Sequence, residues 1–136
     1  MNTAAESGLA EVQFGQLAES KSVPRSVHDF AARMVTDHTQ LNNQLMQLAQ
    51  SLQFTPPTAL SPQDQQTYQR LQGLNGRAFV NAYMPNQIQA HEAAIQLFQN
   101  EAQNGNNPQL RNLAQQSVPI LQQHLEMAQR IYPVRR

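Results

Sequence analysis

The strongest constraint on the fold is an apolar stripe in the first half of the chain, whose members are three or four residues apart. Its members are Val27, Phe30, Met34, His38, Leu41, Leu45, Leu48 and Leu52. This spacing places all of them on one face of an α-helix, because the helix turns once in 3.6 residues. A helix with such a face must bury it against other helices.

Three further segments carry the same spacing, so the sequence predicts four long helices. The first covers about residues 3–20, with Ala10, Phe14, Leu17 and Ala18 on one face. The third covers 75–103, with the stripe Val80, Met84, Ile88, His91, Ile95, Phe98 and Ala102. The fourth begins at 108, with Leu110, Leu113, Ser117, Leu121, His124, Ala128 and Ile131. The fold class expected is all-α, an antiparallel four-helix bundle.

The breaks between these segments indicate how the helices are connected. Val23-Pro24 and Asn104-Gly105 mark short turns, so helices one and two, and three and four, form hairpins. Pro56-Pro57 makes residues 53–61 a linker, and a short helix is expected over 62–72. Two hairpins joined by a crossover of about twenty residues is the connectivity of ferritin-like bundles. Residues 1–136 are expected to form a single domain.

Two prolines lie inside predicted helices. Pro85 interrupts the third stripe and Pro119 interrupts the fourth. A proline lacks the N–H that a helix interior needs, so each predicts a kink, and Pro85 alternatively marks the true start of its helix.

Histidines occupy the apolar stripes of three different helices. His38, His91 and His124 stand there, whereas His28 has the position of a surface residue. Counted from the predicted turns, the three lie within about one helical turn of the same height, roughly 6 Å. Glu11 lies at that height on the core-facing side of the first helix. These four side chains are expected to converge near the middle of the bundle.

Three imidazoles and one carboxylate suit one divalent first-row metal ion such as zinc, copper or iron. Asp37 and Glu92 each stand next to a striped histidine and are candidates to orient a histidine on an adjacent helix. A ferritin-type di-iron site is not indicated. That site needs Glu-x-x-His, and the residues three before the histidines are Val35, Ile88 and Leu121.

Two other interpretations of the histidines remain open. They form a polar layer that sets the register of the helices, or they titrate together and loosen the bundle near their pKa. The methionines Met34, Met46, Met84 and Met127 are expected to fill the core, with a copper-binding methionine cluster as the alternative.

Composition excludes several classes of function. Nine acidic residues balance nine basic ones, and no basic cluster suggests nucleic acid as a partner. No apolar run approaches the roughly 18 residues of a transmembrane segment. Gln and Asn supply 34 of the 136 residues, and an amide surface suits an exposed, extracytoplasmic setting. Met1 directly precedes a helical pattern, so removal of a leader ahead of it is expected.

Several segments together resemble one family. They are Ala10-Glu11-Val12, Phe30-Ala31-x-Arg33-Met34-Val35-x-Asp37-His38, His91-x-x-Ala94-Ile95-x-Leu97-Phe98 and Pro119-x-Leu121-x-x-His124-Leu125. The chain is similar to the exported bacterial proteins of domain of unknown function 4142. That resemblance implies a ferritin-like bundle and export to the periplasm or envelope, and supplies no activity. At Ala90 the chain departs from the family, which commonly has an acidic residue before the third-helix histidine.

The leading functional hypothesis is an exported helical-bundle protein that binds a metal, another ligand or a partner and does not catalyse a reaction. The first alternative is a metal-dependent redox enzyme that uses the same site. The second is a structural or interaction module of the cell envelope without metal, for which an apolar patch outside the stripes is expected. Val12 is the one sign of such a patch. A homodimer is also open, because several helix faces can pair between chains.

Overall fold

The computed structural model describes residues 2–133, and within that range every regular element is a helix. The five helices are α1 (Asn2–Glu19), α2 (Arg25–Ser51), α3 (Pro62–Gln72), α4 (Gly76–Asn104) and α5 (Pro108–Ile131). The all-helical fold predicted from the periodicity is therefore confirmed. Met1, ahead of which the leader is expected, lies outside the described residues.

Polar side chains cap the start of α3 and of α5. Ser61 Oγ accepts a hydrogen bond from the Asp64 N–H at 3.1 Å. Asn107 Oδ1 accepts one from the Leu110 N–H at 3.0 Å. Each capping residue is followed by a proline, whose missing N–H is one that the first helical turn does not use. Local chemistry thus explains why both helices begin where they do.

Both internal prolines are accommodated without a break in their helices. Pro85 lies within α4 and Pro119 within α5. The expectation that Pro85 marks the start of its helix is wrong, because α4 begins at Gly76. Each proline deprives the carbonyl four residues earlier, at Asn81 or Gln115, of its helical partner. Both of those residues are exposed, so water can donate to the carbonyl instead.

The helices pack in two pairs, α1 against α2 and α4 against α5. The pairs meet where α2 contacts α5 and where α1 contacts α4, and α3 lies against α1 and α4. Close approach of α1 and α2 depends on Gly15. A Cβ there would lie 2.9 Å from Val35 Cγ2 and 3.0 Å from the Ala31 carbonyl oxygen. A side chain at this position would force the two helices apart.

One apolar cluster takes residues from all five helices and occupies one half of the core. Its largest fully buried members include Phe14, Phe30, Phe79 and Tyr83, and the Phe79 and Tyr83 ring centroids are 5.4 Å apart. The described methionines are dispersed. Met34 and Met84 are buried in this cluster, Met127 packs on its edge, and Met46 is exposed.

None of the helices within residues 2–133 combines the length and the hydropathy that crossing a membrane requires.

Candidate metal centre

A polar layer adjoins the apolar cluster, with one side chain from each long helix. Glu11 comes from α1, His38 from α2, His91 from α4 and His124 from α5. Their exposures are 3%, 4%, 1% and 0%. Each occupies its helix's core-facing side, so the packing that buries the apolar stripe also buries the polar side chain.

The three imidazoles are mutual neighbours. Ring centroids are 5.6 Å apart for His38 and His91, 5.2 Å for His38 and His124, and 5.4 Å for His91 and His124. One nitrogen from each ring lies within 4.8 Å of the nitrogens of the other two. The convergence of the three histidines expected from their heights is confirmed.

Glu11 supplies a carboxylate to the same place. Its Oε2 lies 3.6 Å from His91 Nε2 and 3.9 Å from His38 Nε2. Its other oxygen, Oε1, accepts a hydrogen bond from Gln87 Nε2 at 3.3 Å. The structure therefore brings together all four residues that the sequence proposed as ligands.

Buried polar atoms without a hydrogen-bond partner concentrate in this layer. Five of the eight such atoms among the described residues belong to the four side chains of the layer: Glu11 Oε2, both ring nitrogens of His38, His91 Nε2 and His124 Nδ1. An unpartnered buried polar group destabilises the folded state by about 1–3 kcal/mol. The layer therefore lowers the stability of the protein unless a bound group contacts these atoms.

Outer contacts assign the tautomers of two histidines. His91 Nδ1 lies 2.8 Å from the Gln87 carbonyl oxygen. A carbonyl only accepts, so Nδ1 carries a hydrogen, and Nε2 is the nitrogen that the neutral ring would offer to a metal. His124 Nε2 lies 2.7 Å from Asp37 Oδ2. An ionised carboxylate likewise only accepts, so Nε2 donates and His124 Nδ1 presents the lone pair.

Asp37 connects α2 to α5 through His124 and is itself held in place. Arg33 Nε donates to the same Asp37 oxygen at 2.8 Å. Carboxylates in this position orient metal-binding histidines and increase their basicity. Glu92, the other proposed orienting residue, is exposed and has no hydrogen bond or ion pair to a histidine among the described residues. The structure leaves it outside the layer.

Gln87 is a site residue that the sequence analysis missed. Its side chain is fully buried and donates to Glu11, while its backbone carbonyl orients His91. The available signal was its place four residues before His91, on the same helix face. In a chain with so many amides, that signal did not distinguish it.

Burial keeps two of the histidines in the form that binds metal. Burial, reinforced by the neighbouring imidazoles, lowers the pKa of His38 to about 3. Burial lowers the pKa of His124 to about 4, although the hydrogen bond to Asp37 opposes the change. Both rings are therefore neutral near pH 7, and a neutral ring nitrogen can donate its lone pair to a metal without releasing a proton.

The pKa values of the two carboxyl groups, Glu11 and Asp37, are shifted in opposite directions. Burial raises the pKa of Glu11, with the nearby His91 opposing the change. Partial burial also acts to raise the pKa of Asp37, but hydrogen bonds from His124 and Arg33 outweigh it and lower that pKa. Asp37 is thus ionised and suited to orient His124. Glu11 is a buried acid that a cation beside it would ionise.

The measured separations between donor atoms are wider than a filled tetrahedral site requires. In a tetrahedral zinc site with bonds of about 2.0–2.1 Å, ligand atoms lie about 3.4 Å from each other. Here the carboxylate–imidazole distances are 3.6 Å and 3.9 Å, and the imidazole nitrogens are up to 4.8 Å apart. Movements of about 1 Å, within reach of small side-chain rotations, would close the difference.

Comparison with known proteins agrees with the resemblance seen in the sequence. The model of the family described as Domain of unknown function (DUF4142) matches residues 1–131. Comparison with curated proteins gave no match. Comparison with solved structures also gave none. Because the family model covers nearly the whole sequence, this chain belongs to the domain of unknown function 4142 family.

Proposed function

We propose that this protein binds one divalent first-row transition metal ion (zinc, copper or iron) through His38, His91, His124 and Glu11, and acts as a binding protein. One observation carries the proposal. One ring nitrogen from each of three buried histidines lies within 4.8 Å of the other two, and every one of the three rings has at least one nitrogen without a hydrogen-bond partner. Imidazole with one carboxylate is a donor set that these metals favour.

A purely structural polar layer accounts less well for the same atoms. A layer that sets helix register is expected to satisfy its members by hydrogen bonds between them. In this layer His91 and His124 each have one ring nitrogen bonded, to the Gln87 carbonyl oxygen and to Asp37, and one ring nitrogen without a partner. Metal-binding histidines are commonly oriented in this way, by a hydrogen bond from the ring nitrogen that does not bind the metal.

The proposal includes a single-domain, ferritin-like bundle for the four long helices. One small cavity is lined by a residue from each long helix: Ala4, Leu45, Leu97 and Leu110. The starts of α1 and α5 therefore lie at the same end of the bundle as the later parts of α2 and α4. At the other end, Lys21 Nζ donates to the Gln72 carbonyl oxygen at 2.7 Å. Helices α1 and α5 then run in one direction, and α2 and α4 in the other. This is the arrangement that a long crossover produces.

Export to the periplasm or envelope is the proposed setting. Support comes from the family resemblance and from the amide-rich composition.

Metal content of the purified protein tests the proposed function. The protein is dialysed against Zn²⁺, Cu²⁺ and Fe²⁺ in turn, then against buffer, and analysed for its elements. About one equivalent is expected in the parent and none in the His38→Ala, His91→Ala double variant. His28→Ala is the matched control, because His28 is exposed and outside the layer. It should keep the metal.

Circular dichroism of all three proteins shows whether the double variant is still folded. If the parent retains no metal, or if a folded double variant retains as much as the parent, the proposed site is wrong.

A metal-dependent redox enzyme is the second candidate, favoured by a cleft between α2 and α5 that reaches His38 and His124. Consumption of hydrogen peroxide by the iron- or copper-loaded parent, absent in the double variant, would support it. The interaction module has less support. Val12 is half-buried, and the exposed large apolar residues Met46, Leu52, Leu97 and Ile120 are distributed over three segments of the chain.

A further inference from the structure

The cleft between α2 and α5 leads from the surface to the histidine layer. His38 and His124 lie at its inner end, while the exposed residues Gln40, Gln116 and Ile120 line its outer part. Its volume is about 220 Å³. A water molecule occupies about 30 Å³ in the liquid, so the cleft has room for about seven waters or one small molecule.

The histidines at the inner end of this cleft have nitrogen atoms without a hydrogen-bond partner. Neither ring nitrogen of His38 has a hydrogen-bond partner, and neither does His124 Nδ1. These nitrogens are buried, so a ligand in the cleft would reach a metal ion held there after a small rotation of the His38 or His124 ring. Four protein donors would complete a tetrahedral site, so an exogenous ligand would bind as a fifth donor, an expansion that metal sites of this kind can undergo.

Charge balance favours an anion with a single charge. A divalent ion with three neutral imidazoles and the Glu11 carboxylate would leave one positive charge in a buried place. The other charges on this cleft, Arg33 and Asp37, form an ion pair at 2.8 Å and cancel each other. One small monoanion would neutralise the centre, and burial makes an uncompensated charge costly.

The opposite side of the layer is acidic. A second cleft, between α1 and α4, reaches Glu11 and is also lined by Glu6 and Asp64. These carboxylates would repel an anion approaching from that side. Electrostatics therefore distinguishes the two clefts and assigns the anion to the one between α2 and α5.

We infer that a small monoanion, of the size of azide or formate, enters through the α2–α5 cleft and coordinates the metal beside His38 and His124. This inference rests on the proposed metal site. It adds the chemical class of the exogenous ligand and the face from which the ligand binds.

Azide binding to the metal-loaded protein tests the inference. The parent is loaded with Cu²⁺, and in a parallel sample with Co²⁺, because both ions report a bound azide by a change in visible absorption. Titration with azide should give a saturable change that corresponds to one azide per metal. Metal content after dialysis should remain at one equivalent, which shows that azide adds to the metal and does not extract it.

Two matched variants locate the route. Gln116→Trp narrows the α2–α5 cleft, and Gln89→Trp makes the same substitution at an exposed glutamine of the α1–α4 cleft. Gln116→Trp should weaken azide binding about tenfold or more by steric exclusion, with the metal retained. Gln89→Trp should leave the azide affinity within about twofold of the parent.

The outcomes separate the two proposals. If the parent holds neither Cu²⁺ nor Co²⁺, the inference fails, and the metal site fails with it when Zn²⁺ and Fe²⁺ are not retained either. If it holds metal but azide leaves the spectrum unchanged or removes the ion, the inference fails and the metal site stands. If Gln89→Trp weakens azide binding and Gln116→Trp does not, the α2–α5 route is wrong.

Discussion

The apolar layer around Phe30 and the histidine layer beside it lie in the same helices but differ in how their atoms are satisfied. In the apolar layer, Phe30 and Tyr83 pack edge to face with ring centroids 6.3 Å apart, and Tyr83 Oη is its unpartnered polar atom. In the histidine layer, His38 leaves both ring nitrogens unpartnered. The Phe30 and His91 rings, 6.5 Å apart, mark where the layers meet.

This difference teaches that burial alone does not identify what a layer contributes. Packing explains the apolar layer, because each buried side chain there removes apolar surface from water. The same burial costs free energy in the histidine layer, where polar atoms lose water and gain no partner. Removing a well-packed apolar side chain should therefore destabilise the metal-free protein, whereas removing a polar side chain that has no partner should stabilise it.

The largest effect is expected for Phe30→Ala in the apolar layer. Phe30 is fully buried, and removing its ring leaves a cavity among well-packed neighbours. The free energy of unfolding, measured by urea denaturation, should fall by about 3–5 kcal/mol. Phe98→Ala is the matched control, because Phe98 is half-buried and borders an existing cavity. Phe98→Ala should lower the free energy of unfolding clearly less than Phe30→Ala does. Equal losses in the two variants would contradict the view that packing in the apolar layer determines the stability.

Acid should weaken the metal-free protein through the histidine layer. The folded-state pKa values of His38 and His124, about 3 and about 4, lie below the ordinary histidine value of about 6.5. The unfolded chain then binds more protons than the folded one. Stability should be full above about pH 6.5 and should fall progressively as the pH is lowered from there toward the folded values.

The raised pKa of Glu11 acts with the opposite sign and offsets part of this loss. Urea denaturation at pH 7, 6 and 5 measures the slope, and His28→Ala should reproduce it. Equal unfolding free energies at pH 7 and pH 5 would contradict the assignment of buried, neutral histidines.

The smallest effects are expected for substitutions of two histidines within the layer, and their opposite signs make the comparison decisive. His38→Leu removes two unpartnered nitrogens and should stabilise the metal-free protein by about 1 kcal/mol. His124→Leu removes the partner of Asp37 and should destabilise it by about 1–3 kcal/mol. Thermal unfolding without metal measures both. Destabilisation of similar size in the two variants would show that His38 has a structural role that its contacts do not reveal.

Much of this architecture could be predicted from the sequence. The stripes located the long helices, and α3 occupies the residues expected for the short crossover helix, Pro62–Gln72. The heights of His38, His91 and His124 predicted that they meet. These predictions succeed because a helix advances 1.5 Å and turns 100° per residue, so sequence position determines both face and depth.

Only the tertiary structure decided how the layer is completed. Asp37 and Glu92 each stand one residue from a striped histidine, yet Asp37 reaches His124 and Glu92 faces solvent. The residue before His38 points toward α5, whereas the residue after His91 points away from every neighbouring histidine. This difference between Asp37 and Glu92 depends on which helices are neighbours in the bundle. Gln87 and the choice of bonded ring nitrogen depend likewise on side-chain torsions, which periodicity leaves free and interhelical packing determines.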